Sequence, residues 1–218
     1  MALTKITGEG VGALDTITVG DGSAADKKIL FDGNAQDFHI GLDDSTDTFR
    51  IGLGSDLATT PHMIFDSTGA ITKPLQPAFQ ATLASTSYNN IAADSEQTIV
   101  YDSERFDQNA DFNTSTGIFT APITGRYYFA SSLYLRSIDT SATYIQVKLI
   151  TSNVTYIQII DPNYSADLDY FTVNSHPILA DLDVGDTAKI TVKATGGNDQ
   201  MDVTANTSYT TFSGYLVC

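Results

Sequence analysis

Apolar residues in this chain recur at every second position in short runs, and no run with helical apolar periodicity exceeds about two turns. Between Tyr127 and Arg136 the odd positions Tyr127, Phe129, Leu133 and Leu135 are apolar, with Ser131 the small exception. The even positions Tyr128, Ser132, Tyr134 and Arg136 are aromatic or polar. The pattern predicts a strand with one face in a core and the other toward solvent or a subunit interface. Tyr128 and Tyr134, with Tyr215 near the carboxyl end, are assigned to an interface. Ile145, Val147 and Leu149 alternate with Gln146 and Lys148, and Ile190 and Val192 with Lys189, Thr191 and Lys193, which predicts antiparallel strands with one wet side. Thr, Ser, Gly and Asn are spread throughout, so the class is all-β.

The first third of the chain shows the same alternation in shorter units. Residues 1–26 are rich in Gly, Thr and Ala, with one strand expected at Thr16-Ile17-Thr18-Val19. Residues 27–73 carry Ile29-Leu30-Phe31, Phe38-His39-Ile40, Phe49-Arg50-Ile51 and Met63-Ile64-Phe65, each followed closely by Gly, Asp or Ser. His39-Ile40-Gly41-Leu42 recurs as Arg50-Ile51-Gly52-Leu53 after 11 residues, and Leu30-Phe31-Asp32-Gly33 is echoed by Ile64-Phe65-Asp66-Ser67. Such repetition predicts an elongated stack of short strands and turns. Strands this short bury too little area to offset a backbone ordering cost of roughly 1–2 kcal/mol per residue, so this part is expected to fold as an oligomer. Lys73-Pro74-Leu75-Gln76-Pro77 favours an extended connector and marks a boundary.

Beyond it, residues 111–129 place Gly117 and Gly125 at expected turns between short aromatic and β-branched runs. A Phe-Asn-x-x-x-Gly-x-Phe-x-x-Pro-x-x-Gly-x-Tyr-x-Phe pattern runs from Phe112 to Phe129. Pro77-Ala78-Phe79 precedes it, and Leu182-Asp183-Val184-Gly185-Asp186 and Phe212-Ser213-Gly214-Tyr215-Leu216 follow. In this order the motifs resemble the C1q-like domain, the jelly-roll head of complement-type proteins that is related in fold to tumour necrosis factor. The resemblance covers about residues 76–218 and implies a C1q/TNF-like β-sandwich that assembles as a homotrimer. Met1 to Ile6 and the repeated Ile-Gly-Leu and Phe-Asp-Gly/Ser units resemble the amino-terminal and shaft regions of bacteriophage fibre proteins. Three segments follow: 1–26 as a virion attachment segment, 27–75 as a short-strand shaft formed by trimerisation and its connector, and 76–218 as the head.

Composition narrows the partners. A formal charge of −15 argues against binding a phosphate backbone. No apolar run approaches the roughly 20 residues that span a bilayer, and Met1 to Gly12 lacks the apolar core of a secretion signal, so no membrane insertion is expected. The single Cys218 has no partner for an internal disulfide.

Candidate chemistry is sparse. His39, His62 and His176 are far apart in sequence and fit no nucleophile or metal motif, Ser213 is not in a Gly-x-Ser-x-Gly elbow, and Cys218 lacks a neighbouring base. No catalytic residue is assigned, and the protein is expected not to be an enzyme. The loop Asp161-Pro162-Asn163-Tyr164-Ser165-Ala166-Asp167-Leu168-Asp169 concentrates oxygen ligands. Its Asp161, Asn163, Asp167 and Asp169 form a candidate calcium set, without the Gly and terminal Glu of a regular calcium loop. The same loop offers a sugar-binding alternative, with Tyr164 and Tyr170 as stacking surfaces and Asn163 and Asp167 as polar contacts.

Together these point to a trimeric phage fibre, tail fibre first and capsid fibre second, located on the virion surface. Its amino terminus would join other virion proteins and its head would meet a host cell-surface glycan or protein without catalysis. The alternatives are a purely structural virion component whose head serves trimerisation and capping, or a secreted bacterial C1q-like lectin or adhesin.

Overall fold

The computed structural model describes residues 15–164, 166, 168–197 and 200–218, which form strands, turns and loops without a helix. The chain divides into two compact units, Met1–Leu75 and Gln76–Cys218.

The first unit is one antiparallel sheet in which neighbours in sequence are neighbours in space: β1 (Lys27–Phe31), β2 (Phe38–Asp43), β3 (Thr48–Leu53), β4 (Pro61–Phe65) and β5 (Ile71–Thr72). Its last turn explains one of the echoed Phe-Asp units, Phe65-Asp66. Asp66 Oδ1 accepts from Thr68 N at 2.8 Å and from Ala70 N at 3.0 Å, and Gly69 takes φ +91 to close the β4–β5 hairpin.

The repeated tetrapeptides lie side by side in β2 and β3. Ile40 pairs with Ile51, His39 with Gly52, and Gly41 with Arg50. Gly52 makes room for the His39 ring opposite, where a Cβ would sit 2.7 Å from Nε2, and Gly41 for the close approach of β1, where a Cβ would meet Lys28 Cβ at 2.7 Å. His39, Arg50 and Asp43 therefore share one buried face with Leu57. Arg50 Nη1 meets Asp43 Oδ2 at 2.8 Å and donates to the Leu57 carbonyl at 3.2 Å. The Ser45 hydroxyl, donating at 2.6 Å, and then the Arg50 charge hold the Asp43 carboxyl below the ordinary carboxylate range against the cost of burial.

The strand expected at Thr16–Val19 is absent: Ile17 and Val19 are exposed, and two apolar side chains without cover do not offset the ordering of a Gly-rich segment.

The second unit is a two-sheet sandwich. In chain order its strands are β6 (Ala78–Thr82), β7 (Tyr88–Ala92), β8 (Gln97–Thr98), β9 (Ser103–Asp107), β10 (Phe112–Asn113), β11 (Ile118–Thr120), β12 (Gly125–Arg136), β13 (Tyr144–Thr151), β14 (Thr155–Ile160), β15 (Phe171–Asn174), β16 (Ile178–Leu182), β17 (Thr187–Thr195), β18 (Gln200–Val203) and β19 (Thr211–Leu216). One sheet runs β10-β11-β17-β13-β14, with β8 also on β17. The other is built on β12, which pairs with β16 and β15 on one side and with β19 and β18 on the other, while β6 and β9 continue beyond β19 and β7 beyond β18. This is a jelly-roll-like arrangement, all-β as the alternation predicts.

The alternation of β12 is realised: Tyr127, Phe129, Ser131, Leu133 and Leu135 are buried and the even positions face outward. Phe79 on β6 stacks on Phe112 and Phe119, at 4.9 and 5.1 Å between centroids, and meets Phe212 edge-on at 5.1 Å. The aromatic residues of the Phe112–Phe129 pattern are thus core residues. Gly117 turns β10 into β11 at φ +71, where a Cβ would lie 2.5 Å from the Ile99 carbonyl. Gly125 is not a turn residue as expected. It opens β12 in extended conformation, and a Cβ there would lie 2.8 Å from the Cys218 carbonyl, so close approach explains it. The side of β17 expected to be wet is dry at Thr191, whose hydroxyl donates to Glu96 Oε1 at 2.7 Å.

One carboxylate opposes the fold. Asp111 Oδ2 is buried without a hydrogen-bond partner, and burial first, then the nearby Asp107 charge, raise the Asp111 pKa above its ordinary value. A raised acid binds its proton more tightly folded than unfolded, so stability falls as pH rises from the ordinary carboxylate value through the folded one. Asp111→Asn is expected to raise the thermal midpoint at pH 7. The gain should shrink to nothing as the pH falls below about 4, the unfolded carboxylate range. Calorimetry of both proteins across this range checks it, and an unchanged midpoint at pH 7 would refute it.

Candidate functional site

The chain enters the second unit beside its own end: Gln76 Nε2 donates to the Leu216 carbonyl at 2.7 Å, and Leu216 N to the Pro77 carbonyl at 3.0 Å. Strand β12 starts at this end and carries the chain to the opposite one. There, after Arg136, the loop to β13 meets the loop between β14 and β15 through the paired Ile138 and Leu168.

The second loop is the one that the sequence singles out. Asp161 Oδ1 accepts from Asn163 N at 3.0 Å, and Tyr164 N donates to the Pro162 carbonyl at 2.6 Å, which curls the loop. Tyr164 packs at 6.3 Å from Phe171, whereas Tyr170 stacks on Tyr134 at 6.5 Å, so the two proposed stacking tyrosines have different ring partners. Asp169 takes part through its carbonyl, which accepts from Arg136 Nε at 3.2 Å. Asp167 lies outside the described residues. Among the described residues, no three His, Cys, Asp or Glu side chains converge as a metal set.

A cluster that sequence reasoning missed lies beside this loop. The Arg136 guanidinium sits 5.3 Å from the centre of the Tyr170 ring, Tyr170 stacks on Tyr134, and Tyr134 meets Tyr209 edge-on at 5.6 Å. Tyr170 is 74% exposed, so its ring offers a flat surface at this end of the second unit. Cation–π contact with Arg136 fixes its orientation.

Tyr134 also belongs to a longer surface. The outward positions of β12 are flanked by Tyr215, Ser213 and Thr211 of β19, by Leu179 of β16 and by Thr172 and Asn174 of β15. Tyr128 and Tyr215, directly opposite in register, hold their rings 5.2 Å apart. Between the Arg126–Asp181 pair and the Arg136–Asp202 pair, these outward positions carry no charge, in a chain with 26 acidic and 11 basic residues. All three tyrosines assigned to an interface are on this face, with Tyr128 and Tyr215 at the entry end and Tyr134 toward the far end.

A second apolar surface lies at the sandwich edge. Strand β14 ends its sheet and exposes Ile157 and Ile159. Between it and the β15–β16 link runs a cleft of about 420 Å³, lined by Val147, Leu149, Tyr156, Gln158, His176 and Ile178 among others. Gln158 Oε1 is buried without a partner. His39 is buried in the first unit, His62 lies against Phe38, and Cys218 is exposed.

The sequence matches the C1q domain over residues 78–217. No curated protein matches the chain. Solved structures that are similar include murine APRIL at pH 8.5, with 12% identity over 65% of this chain and 99% of that one and a TM-score of 0.46. Eiger TNF from S. frugiperda has 13% identity over 66% of this chain and 94% of that one, with a TM-score of 0.47.

Proposed function

This chain belongs to the C1q domain family through residues 78–217, and from that premise we propose that it is a homotrimeric bacteriophage fibre protein whose head binds a host surface. C1q/TNF-like domains commonly form homotrimers, and the fold is often used for trimerisation and binding. The observation that carries the reading is the uncharged aromatic face of β12 and β19, half-buried along β12 and exposed at Tyr215, in a single chain of charge −15. Such a face is left open where a partner covers it.

The apolar edge at β14 supplies the complementary surface. Because the two surfaces differ, face-to-edge contact is heterologous, and such contacts form a ring where the rotation between copies closes. In a ring of three, the number common among C1q/TNF-like domains, both surfaces of every chain are covered. The far-end loops of three heads then present three copies of Tyr170, Arg136, Tyr164 and Asn163. A host glycan would stack on Tyr170, each contact weak and the sum strengthened by avidity. Recognition is non-covalent and calls on no cofactor.

The fibre context rests on the amino-terminal resemblance and on the repeated strand units of the first unit, with residues 1–26 joining the particle. The attachment point is a tail in preference to a capsid. Antibodies against the chain should decorate purified virions, and the purified protein should compete with phage adsorption. Absence from virions would refute the fibre, and virion labelling without competition would leave a purely structural component. Tyr170→Ala is expected to weaken host binding roughly tenfold per site, the effect of losing about 1.4 kcal/mol at one aromatic contact. Surface plasmon resonance on host envelope checks this, and unchanged affinity would exclude the Tyr170 surface.

A further inference from the structure

The described residues of the first unit form no hydrophobic core of their own. Among its described residues, Leu57 is the one buried large apolar side chain, and the other buried side chains are the polar His39, Asp43 and Arg50. Most of the apolar residues are on the opposite face of the sheet, with Leu30 and Ile64 beside the polar cluster. The register places Phe31 and Phe38 in one cross-strand row, Ile29 with Ile40 and Ile51 in the next, and Leu42, Phe49, Phe65 and Ile71 in a third. Six of them, Ile29, Phe31, Phe38, Leu42, Phe49 and Ile71, are 41–59% exposed.

With an aromatic residue contributing 150–250 Å² when fully bared, this face exposes roughly 500–700 Å² of apolar surface. That is at or above the largest patches on monomers and close to the ~800 Å² that each partner gives a standard interface. A sheet covered on one face by a polar cluster and a single leucine does not offset its ordering entropy.

We infer that this face packs against the same face of two further copies of the chain, three sheets burying their apolar rows around one axis. The inference rests on the homotrimer reading and gives the shaft its interface. The face itself identifies the occupant. Lys27 is the one charged residue at its strand positions and is already engaged with Asp21 at 3.2 Å, so the charge that a second copy brings to the contact is a paired one. Faces of matching apolar rows stack as sheets do in sandwiches, about 10 Å apart. The connector 73–77 is five residues long, so a trimeric head holds three such sheets at high effective concentration.

The test uses the full chain, with its mass from light scattering and hydrogen exchange followed in β1 to β5. The expected result is a three-chain mass with slow exchange in β2 and β3. In the Phe38→Ser/Phe49→Ser variant, the mass stays at three chains, held by the heads, while exchange in these strands speeds up at least tenfold. Slow exchange that survives the double substitution at three-chain mass overturns the inference. Slow exchange that disappears when residues 1–14 are deleted also overturns it, by assigning the cover to that segment. A one-chain mass for the unaltered protein overturns the homotrimer reading instead, so the two failures are distinguishable.

Discussion

Replacing Phe79 by alanine is expected to destabilise the head by about 3–5 kcal/mol, the range for removing a fully buried phenylalanine. Phe79 is 1% exposed and is the ring on which the two sheets meet. It stacks on Phe112 and Phe119 from one sheet and touches Phe129 and Phe212 of its own. Alanine removes all four contacts at once. The cavity lies between rigid strands and is lined by rings that cannot turn to fill it. Urea unfolding followed by near-ultraviolet circular dichroism, at fixed protein concentration because assembly contributes to stability, gives the measurement. Val184→Ala, at a 66% exposed position, is the control and should stay within about 0.5 kcal/mol. A loss below about 1 kcal/mol for Phe79→Ala would mean that the aromatic stack is not the centre of the core.

The second large effect is on assembly. Tyr128→Arg combined with Tyr215→Arg places two positive charges in the uncharged face between Arg126 and Arg136. In a closed ring every contact receives them. An unpaired buried charge costs several kcal/mol, more than a heterologous contact of standard size can spare. Phe38→Ser and Phe49→Ser are added in the same variant, so that the first unit's apolar face does not hold the three chains together in its place. The variant should therefore elute as single chains, with head circular dichroism unchanged because both tyrosine side chains point away from the core. A variant that keeps its native mass would remove the aromatic face from the interface.

Both predictions draw on features that the sequence shows unequally. The core was legible because alternation in β12 needs no partner to be read, and because Phe112, Phe119, Tyr127 and Phe129 fall at the offsets of the C1q-like pattern. The pairing of His39-Ile40-Gly41-Leu42 with Arg50-Ile51-Gly52-Leu53 was only half legible. The repeat was visible, but that the two copies would face each other in one hairpin depends on the Asp44–Asp47 turn, which sets Ile40 against Ile51. The buried Asp43–Arg50 pair follows from that register and has no signature of its own.

The far-end cluster was not legible as a cluster. Arg136 and Tyr134 lie on β12, Tyr170 begins β15's approach and Tyr209 precedes β19, so only the three-dimensional register brings them together. The sequence picked out Tyr170 for its neighbours in the acidic loop, yet its ring is oriented by Arg136 instead. Thr16–Val19 failed for the opposite reason: its local pattern was right for a strand, but nothing buries Ile17 and Val19.

The homotrimer joins the head, the shaft and the multivalent binding surface into one account, and the mass of the intact protein in solution tests it most directly. Multi-angle light scattering on the full chain should give three times the 23.4 kDa chain mass across a tenfold dilution. A single-chain mass with both units folded would contradict it.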